Sequence, residues 1–546
     1  MIGQTRRLLE TVRHLRPEQI YGRALHKLSW PAPDLSPAPP VRPVTGNWAE
    51  PAPKSRSMIG PNRFCFLNHT ACIEQAEDWN SPAQDKLWLY NLHYFDDLNG
   101  DDAAGRHAWH WLLLDRWIAE NPPASGNGWE PYPTSLRIVN WIKWALSGTG
   151  MTKSWQDSLA VQTRWLASRL ERHLLGNHLM ANAKALVFAG CYFSGDEAEG
   201  WGQKGLAILQ EQIAEQVLGD GGHFERSAMY HALILEDVLD LINLAGAYPD
   251  ARSGELAGQL GDVAPGMLSW LEAMCHPDGR ISFFNDAAFA IAPDLEALRA
   301  YAERCDVELP SPSAARLLHL ADSGYIRLDQ GDCVALLDTA PVGPDYLPGH
   351  AHADTLSFEM SLFGQRLIVN GGTSVYGTGA ERQRQRSTAA HSTVEIDVEP
   401  SSEVWAGFRV ARRARPRDLS RSDENGVLTV SCAHDGYHRL AGTPTHRRTW
   451  RLHGTRLNIR DHIEGAYGHA LAHFPFAPNC KVEFAPGGKE HVGTIEIGDE
   501  HILSWRSNAP ASIVQTTWHP EFGLAVPNSA LVLPVLNGEL IFELNW

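Results

Sequence analysis

Residues 349–372 read GHAHADTLSFEMSLFGQRLIVNGG, and residues 386–398 read RSTAAHSTVEIDV. Behind the histidine pair, Leu356, Phe358, Met360 and Leu362 alternate with Thr355, Ser357, Glu359 and Ser361, the period-two pattern of a half-buried strand. Side chains at i and i+2 share a strand face, so an extended conformation reaching back to residue 350 would project His350, His352 and Asp354 together. His391 opens a second alternating run, with Val394, Ile396 and Val398 on one face. Three histidines and a carboxylate thus fall on two strands. That pattern fits a polar strand edge with solvated histidines, and it also fits a metal or acid/base site on a rigid sheet.

From about Leu317 to Trp546 similar short alternating segments recur, among them VALLD, VLTVSC, LNIRD and GTIEIG, separated by turn residues. They predict an antiparallel β-sandwich. Upstream the period changes. Leu235, Val238, Leu239 and Ile242, like Leu179, Ala183, Leu186 and Val187, follow the helical i, i+3, i+4, i+7 rule. Many such helices without strands imply a bundle or a toroid of antiparallel helical hairpins. The chain opens with an amphipathic arm, MIGQTRRLLETVRHLRPEQIYGRALHKL, followed by a proline-rich strap. The expected organisation is α+β and multidomain: arm and linker over 1–55, (α/α) toroid over 56–315, antiparallel β-sandwich over 316–546.

A chain of 546 residues exceeds one ordinary core. Its 64 acidic against 47 basic residues give a net charge of −17, which argues against sequence-independent nucleic-acid binding. An anionic ligand would therefore need a local basic cleft. Arg382, Arg384 and Arg386, followed by Arg409, Arg412 and Arg413, could supply one or could be solvated surface arginines. Eight scattered cysteines without CxxC spacing suggest neither a zinc knuckle nor a disulfide scaffold. The arm lacks the apolar run of a signal peptide, and no stretch has the eighteen or more apolar residues of a membrane span. Cytoplasmic residence is the resulting expectation; oligomeric state is not readable.

The helical half has its own polar groups. Asn177 and His178 stand where a loop enters an amphipathic helix, a place a helix cap also fills. In DGGHFERSAMYH, the residues Glu225, Tyr230 and His231 lie near the start of a buried helix, where a tyrosine and a histidine can equally be core residues with satisfied polar tips. Asn285 and Asp286 occupy another glycine-bearing loop. His93, Tyr94, Trp129, Tyr132, Arg137 and Asn140 cluster among aromatic residues, a composition suited to sugar.

The Asn177-His178 pair, the stretch from Asp220 to His231, the HAHAD box from His350 to Asp354 and RSTAAHSTVEID ending at Asp397 occur in the order found in heparinase II/III-like polysaccharide lyases. The chain resembles that bacterial family over nearly its whole length. The resemblance implies an N-terminal (α/α) toroid, a C-terminal β-sandwich and β-elimination on a uronic-acid polymer, with glycosaminoglycans such as hyaluronan, chondroitin sulfate or heparan sulfate foremost. Elimination removes the proton at C5 and expels the O4-linked sugar, so the uronate carboxylate must be neutralised by hydrogen-bond donors, and an acid and a base must flank C5 and O4.

By resemblance Asn177 with His178 is the neutralising group, Tyr230 the acid/base tyrosine and His350 its partner. Holding both of the last two hints at tolerance for glucuronate and iduronate. Histidine, with a pKa of about 6.5, is the ready base; a tyrosine near 10 needs about 4 kcal/mol to be deprotonated beforehand and more naturally donates. Trp129, Arg137, Glu225, His231, Asn285 and Arg386 are the expected substrate contacts.

Resemblance also assigns His352 and His391 as two ligands of a structural divalent ion, zinc or manganese, with Asn370 at the position of a third, an aspartate in the family. A neutral amide is the poorer zinc ligand. A plain hairpin turning at Gly364 and Gln365 would set Asn370 opposite Glu359, so the sheet must bend or Asn370 is no ligand. No organic cofactor is implied. Two other function classes stand beside the lyase: a glycoside hydrolase on a helical toroid, with Glu225, Asp286 and Asp354 as candidate carboxyl groups, and a non-catalytic glycan-binding component of bacterial polysaccharide production.

Overall fold

The computed structural model describes residues 2–28, 30–250, 254–487, 489–498 and 500–546. Nine α-helices among the described residues, from Lys86–Tyr94 to Leu295–Arg304, form a toroid of helical hairpins. The helices run long where apolar residues recur without internal breakers, as in Gly176–Tyr192 and Ala228–Ala247. Their shared core is built on tryptophan: Trp79, Trp88, Trp117, Trp141 and Trp155 are all fully buried, so most of the indoles are packing rather than sugar platforms. A three-stranded sheet, Met58–Gly60, Arg63–Phe66 and His69–Cys72, precedes the toroid helices. The helical reading of this region missed it because these strands are only three or four residues long.

From Leu317 onward the described residues are mainly antiparallel sheet, with sheets of eight, five and four strands closing on one apolar core with Phe358, Trp450, Phe474 and Phe542 at its centre. The chain is thus an (α/α) toroid followed by a β-sandwich.

The decisive segment departs from its expected form in three ways. Its strand begins only at Phe358 and is buried on both faces, because the polar side meets the toroid instead of water. There the His276 ring bonds Glu359 Oε2 at 2.8 Å and Ser361 Oγ at 2.7 Å. The hairpin turns at Phe363 and Gly364, both with positive φ, and a bulge between Met360 and Ser361 bends the sheet. The second run ends at Ile396: Asp397 and Val398 take left-handed φ, and Val398 is 69% exposed instead of facing the core.

The arm forms two helices, Ile2–Val12 and Pro17–Leu28, lying across both halves. Trp405 Nε1 donates to Thr11 Oγ1 at 3.1 Å, Gln19 Nε2 donates to the Tyr346 carbonyl at 3.0 Å, and the Arg16 guanidinium sits 3.7 Å over the Tyr346 ring. The proline-rich strap is tied to the toroid where Arg42 N donates to the Tyr192 carbonyl and Ala49 N to Asn243 Oδ1.

Candidate active site

A cleft of about 1110 Å³ opens between toroid and sandwich, with the arm along one rim. Asn177, His178, Glu225, Tyr230 and His350 all line it.

Tyr230 sits in the first turn of the helix Ala228–Ala247, whose N-cap Ser227 accepts the Tyr230 N–H at 3.2 Å and donates to the Asp286 carbonyl. The cap therefore joins the phenol's backbone to the loop that holds His350. The Tyr230 and His350 rings pack against each other, tilted by 31°, with centroids 3.8 Å apart, and the Tyr230 hydroxyl meets that of Tyr376 at 2.8 Å. Burial first, then the neighbouring Tyr376 and Asp286, pushes the Tyr230 phenol well above its ordinary value of 10, so it is a proton donor at neutral pH.

His350 and His352 do project together, but from a turn rather than a strand, and onto Asp286 rather than Asp354. Asp286 lies at 3.0 Å from His350 Nδ1 and 2.8 Å from His352 Nε2, and the buried Arg382 clamps it through both terminal nitrogens. Burial alone would raise this carboxyl; the Arg382 charge and the two imidazole bonds outweigh it and hold Asp286 well below the usual carboxylate range. An anionic Asp286 fixes the proton of His350 on Nδ1 and leaves the Nε2 lone pair for the cleft. Nε2 lies 3.7 Å from Glu225 Oε2.

Across the cleft, Asn177 is not a cap: the helix Gly176–Tyr192 is capped by Leu175 without a side-chain bond. Leu175 and Gly176 both have positive φ, and a Cβ on Gly176 would fall 2.4 Å from Leu347 and 2.9 Å from Glu225. This turn brings the Asn177 N–H to the Glu225 carboxyl and leaves the Asn177 side chain on the cleft wall. His178 packs on Tyr132, the rings tilted by 38° with centroids 4.4 Å apart, and its Nδ1 lies 3.2 Å from Glu171. Burial lowers its pKa, but Glu171 more than compensates, so His178 titrates above 6.5. Burial raises Glu225, and its Oε2 has no hydrogen-bond partner among the described residues.

Several expected substrate contacts lie elsewhere. Trp129 is core, donating to the Asn121 carbonyl. Arg137 is fully buried, bonded to Gln162 and the His93 carbonyl and stacked 3.9 Å from Trp117. His231 packs on Trp270 with Nε2 2.9 Å from the Met267 carbonyl. Asn285 takes positive φ and bonds the Arg226 carbonyl and the His352 N–H, so it shapes the loop under His350. Arg386 spends its donors on the carbonyls of Ala351, Gly407 and Arg409. The expected basic cleft does not form either: Arg382 serves Asp286, Arg384 pairs with Glu381 and Arg412 with Glu403. Of the six arginines only Arg409 and Arg413 line the cleft, and Arg413 is paired with Asp345. Asp354 accepts the Asn285 N–H away from the cleft, so of the three hydrolase carboxyls only Glu225 faces it. The sequence does not single out Tyr376, and it points to Arg382 only for a basic cleft, not as the partner of Asp286; the spacing of both from the HAHAD box is the available signal.

His352 Nδ1 faces His391 Nε2 at 3.2 Å. Asn370 accepts the N–H of neighbouring Ser392 at 3.3 Å and sends its own N–H to Glu359. Two nitrogens on one tetrahedral ion, each bonded at about 2.0–2.1 Å, stand roughly 3.4 Å apart, so the imidazole pair fits a divalent ion. Among the described residues, however, no three His, Cys, Asp or Glu side chains gather for one.

The fold is a helical toroid joined to a β-sandwich, and the cleft between them holds a tyrosine and a histidine ring in contact opposite an Asn-His pair. The heparinase II/III N-terminal model matches residues 97–303 and the heparinase II/III-like C-terminal model residues 312–546. The chain belongs to the heparinase II/III-like family. It is 25% identical over 492 residues to FtsZ-localized protein C of Caulobacter vibrioides, covering 84% of this chain and 81% of that one. It is 26% identical over 350 residues to a heparin-sulfate lyase of Pedobacter heparinus, covering 57% and 50%, and 24% identical over 245 residues to one of Bacteroides stercoris, covering 41% and 36%. The matches to these lyases thus span half of their length or less. A solved heparinase III superposes with a TM-score of 0.69 at 18% identity, over 86% of this chain and 79% of that one. No helix among the described residues is long and apolar enough to cross a membrane.

Proposed function

We propose that the protein is a polysaccharide lyase cleaving a uronic-acid-containing polymer by β-elimination. The observation that carries this reading is the Tyr230-His350 ring contact at 3.8 Å, with the imidazole Nδ1 held by an anionic Asp286. His350 Nε2 takes the C5 proton. The neutral phenol of Tyr230 donates to the departing O4, and Tyr376 keeps that hydroxyl aimed. The Asn177 amide and the His178 ring hold the uronate carboxylate as charge spreads onto it. Electron pairs move from C5–H into a C4–C5 double bond as C4–O4 breaks; no water is consumed. His352, His391 and Asn370 would hold a divalent ion, whose contribution is to pin the HAHAD turn against the sandwich. Incubation with a panel of uronate polymers tests the reading: ultraviolet-absorbing unsaturated ends are expected, and reducing ends without absorbance would instead mean hydrolysis.

A second reading is glycan binding without turnover; what favours it is that the chain matches FtsZ-localized protein C, whose name carries no enzyme activity, across most of both chains. It predicts retained polymer binding, no unsaturated product, and no change in binding on Tyr230→Phe.

A further inference from the structure

The toroid wall of the cleft carries a cluster that the elimination does not use. Lys54, Lys143 and Lys184 all line the cleft, as do Glu236, Asp237 and Asp240. Lys184 lies 2.6 Å from both Asp237 and Asp240, Lys143 lies 2.9 Å from Asp240 and 3.7 Å from Glu236, and Lys54 pairs with Glu236. Asp96, raised by burial against the pull of Lys54, is the fourth carboxyl in the group and also lines the cleft. Three ammonium groups are thus matched to four carboxyls. Among the described residues, Glu236 Oε1, 3.7 Å from Lys143 Nζ, and Glu225 Oε2, 3.7 Å from His350 Nε2, are buried oxygens that accept no hydrogen bond. Tyr132, which packs on His178, has Asp237 as its strongest charged neighbour. The cluster therefore begins beside the group assigned to the uronate carboxylate. Among the described cleft cations with no carboxylate partner are Arg23, Arg56 and Arg409, all exposed at the rim.

A sulfated repeat brings additional fixed charges, each of which needs an unpaired cation where it docks. Here Lys54, Lys143 and Lys184 are each already paired with carboxylates, and the carboxyls of the group outnumber the ammonium groups. We infer that the cleft is built for an unsulfated uronate polymer, with one charge per disaccharide held by Asn177 and His178, uncharged hexosamine hydroxyl and acetamido groups along the Lys184-Asp237 wall, and the rim arginines meeting the uronates of flanking repeats. This rests on the elimination reading for the placement of the uronate.

The test compares an unsulfated glucuronate–N-acetylglucosamine polymer with heparin at fixed ionic strength, reading unsaturated product. It also titrates matched hexasaccharides into the Tyr230→Phe protein by calorimetry. The unsulfated substrate is expected to have kcat/KM at least about tenfold higher and its hexasaccharide to bind more tightly. Asp237→Asn, which releases part of the Lys184 charge, should narrow both gaps severalfold. Heparin turned over or bound as well as the unsulfated polymer overturns the inference. Tighter binding of the unsulfated hexasaccharide with no double bond from any polymer upholds the charge selectivity and refutes the elimination reading instead.

Discussion

The two walls of the cleft are built on different principles. On the sandwich side the HAHAD turn is over-determined: Asp286 takes two imidazoles and a guanidinium, Arg386 grips the Ala351 carbonyl, and Asn285 accepts the His352 N–H. On the toroid side the polar atoms are held less completely. Among the described residues, Glu225 and Glu236 each have a buried oxygen that accepts no hydrogen bond. A rigid base opposite a wall that the ligand itself completes, through Asn177 and His178 in the proposed reading, keeps its geometry as the ligand binds.

Breaking the locked wall should have the largest effect. Asp286→Ala leaves Arg382 buried without its counter-charge and frees both imidazoles, so about 3–5 kcal/mol of stability is expected to disappear in denaturant unfolding, along with all activity. An unchanged midpoint would show that the carboxylate is not the anchor. Next, Tyr230→Phe keeps the ring contact and removes the proton donor with its bond to Tyr376; kcat should fall by about 10²–10⁴ with the melting temperature lowered only slightly. Asn177→Ala, on the ligand-completed wall, should lower kcat/KM about 10²-fold by the same assay.

The sequence carried the skeleton of this comparison but not its connections. Period changes at the helix and strand levels are local, so toroid and sandwich were readable, and motif order led to Asn177, Tyr230 and His350, all of which line the cleft. Asp286 becomes the hub only when a loop of the toroid meets a turn of the sandwich, 64 residues away from His350 in the chain. Asp354, nearer in sequence, could not be told from it. Burial misled in the other direction: Trp129, Arg137 and His231 have the residue types of sugar contacts, yet each is consumed by core hydrogen bonds or stacking. The polar alternation at Glu359 and Ser361 signalled a domain seam rather than a solvent face.

Smaller effects sharpen the contrast. Asn370→Asp should raise zinc occupancy measured by elemental analysis and increase the melting temperature, because a carboxylate is the better zinc ligand; equal metal content in both forms would remove Asn370 from the ligand set. The smallest expected effect is on pH. His178 titrates above its unfolded value, so its pairing with Glu171 stabilises the fold below a pH of about 6.5 and that contribution fades as pH rises through the raised pKa. His178→Gln should therefore cost stability at acidic pH and little at alkaline pH in paired thermal melts. A uniform loss across pH would assign His178 to packing alone.

The most direct measurement is the ultraviolet absorbance of the products formed from uronate polymers by the native protein and by His350→Ala. The account predicts unsaturated uronate ends accumulating with the native protein and falling to background with the variant. Chain shortening without that absorbance, or equal rates from both proteins, would contradict it.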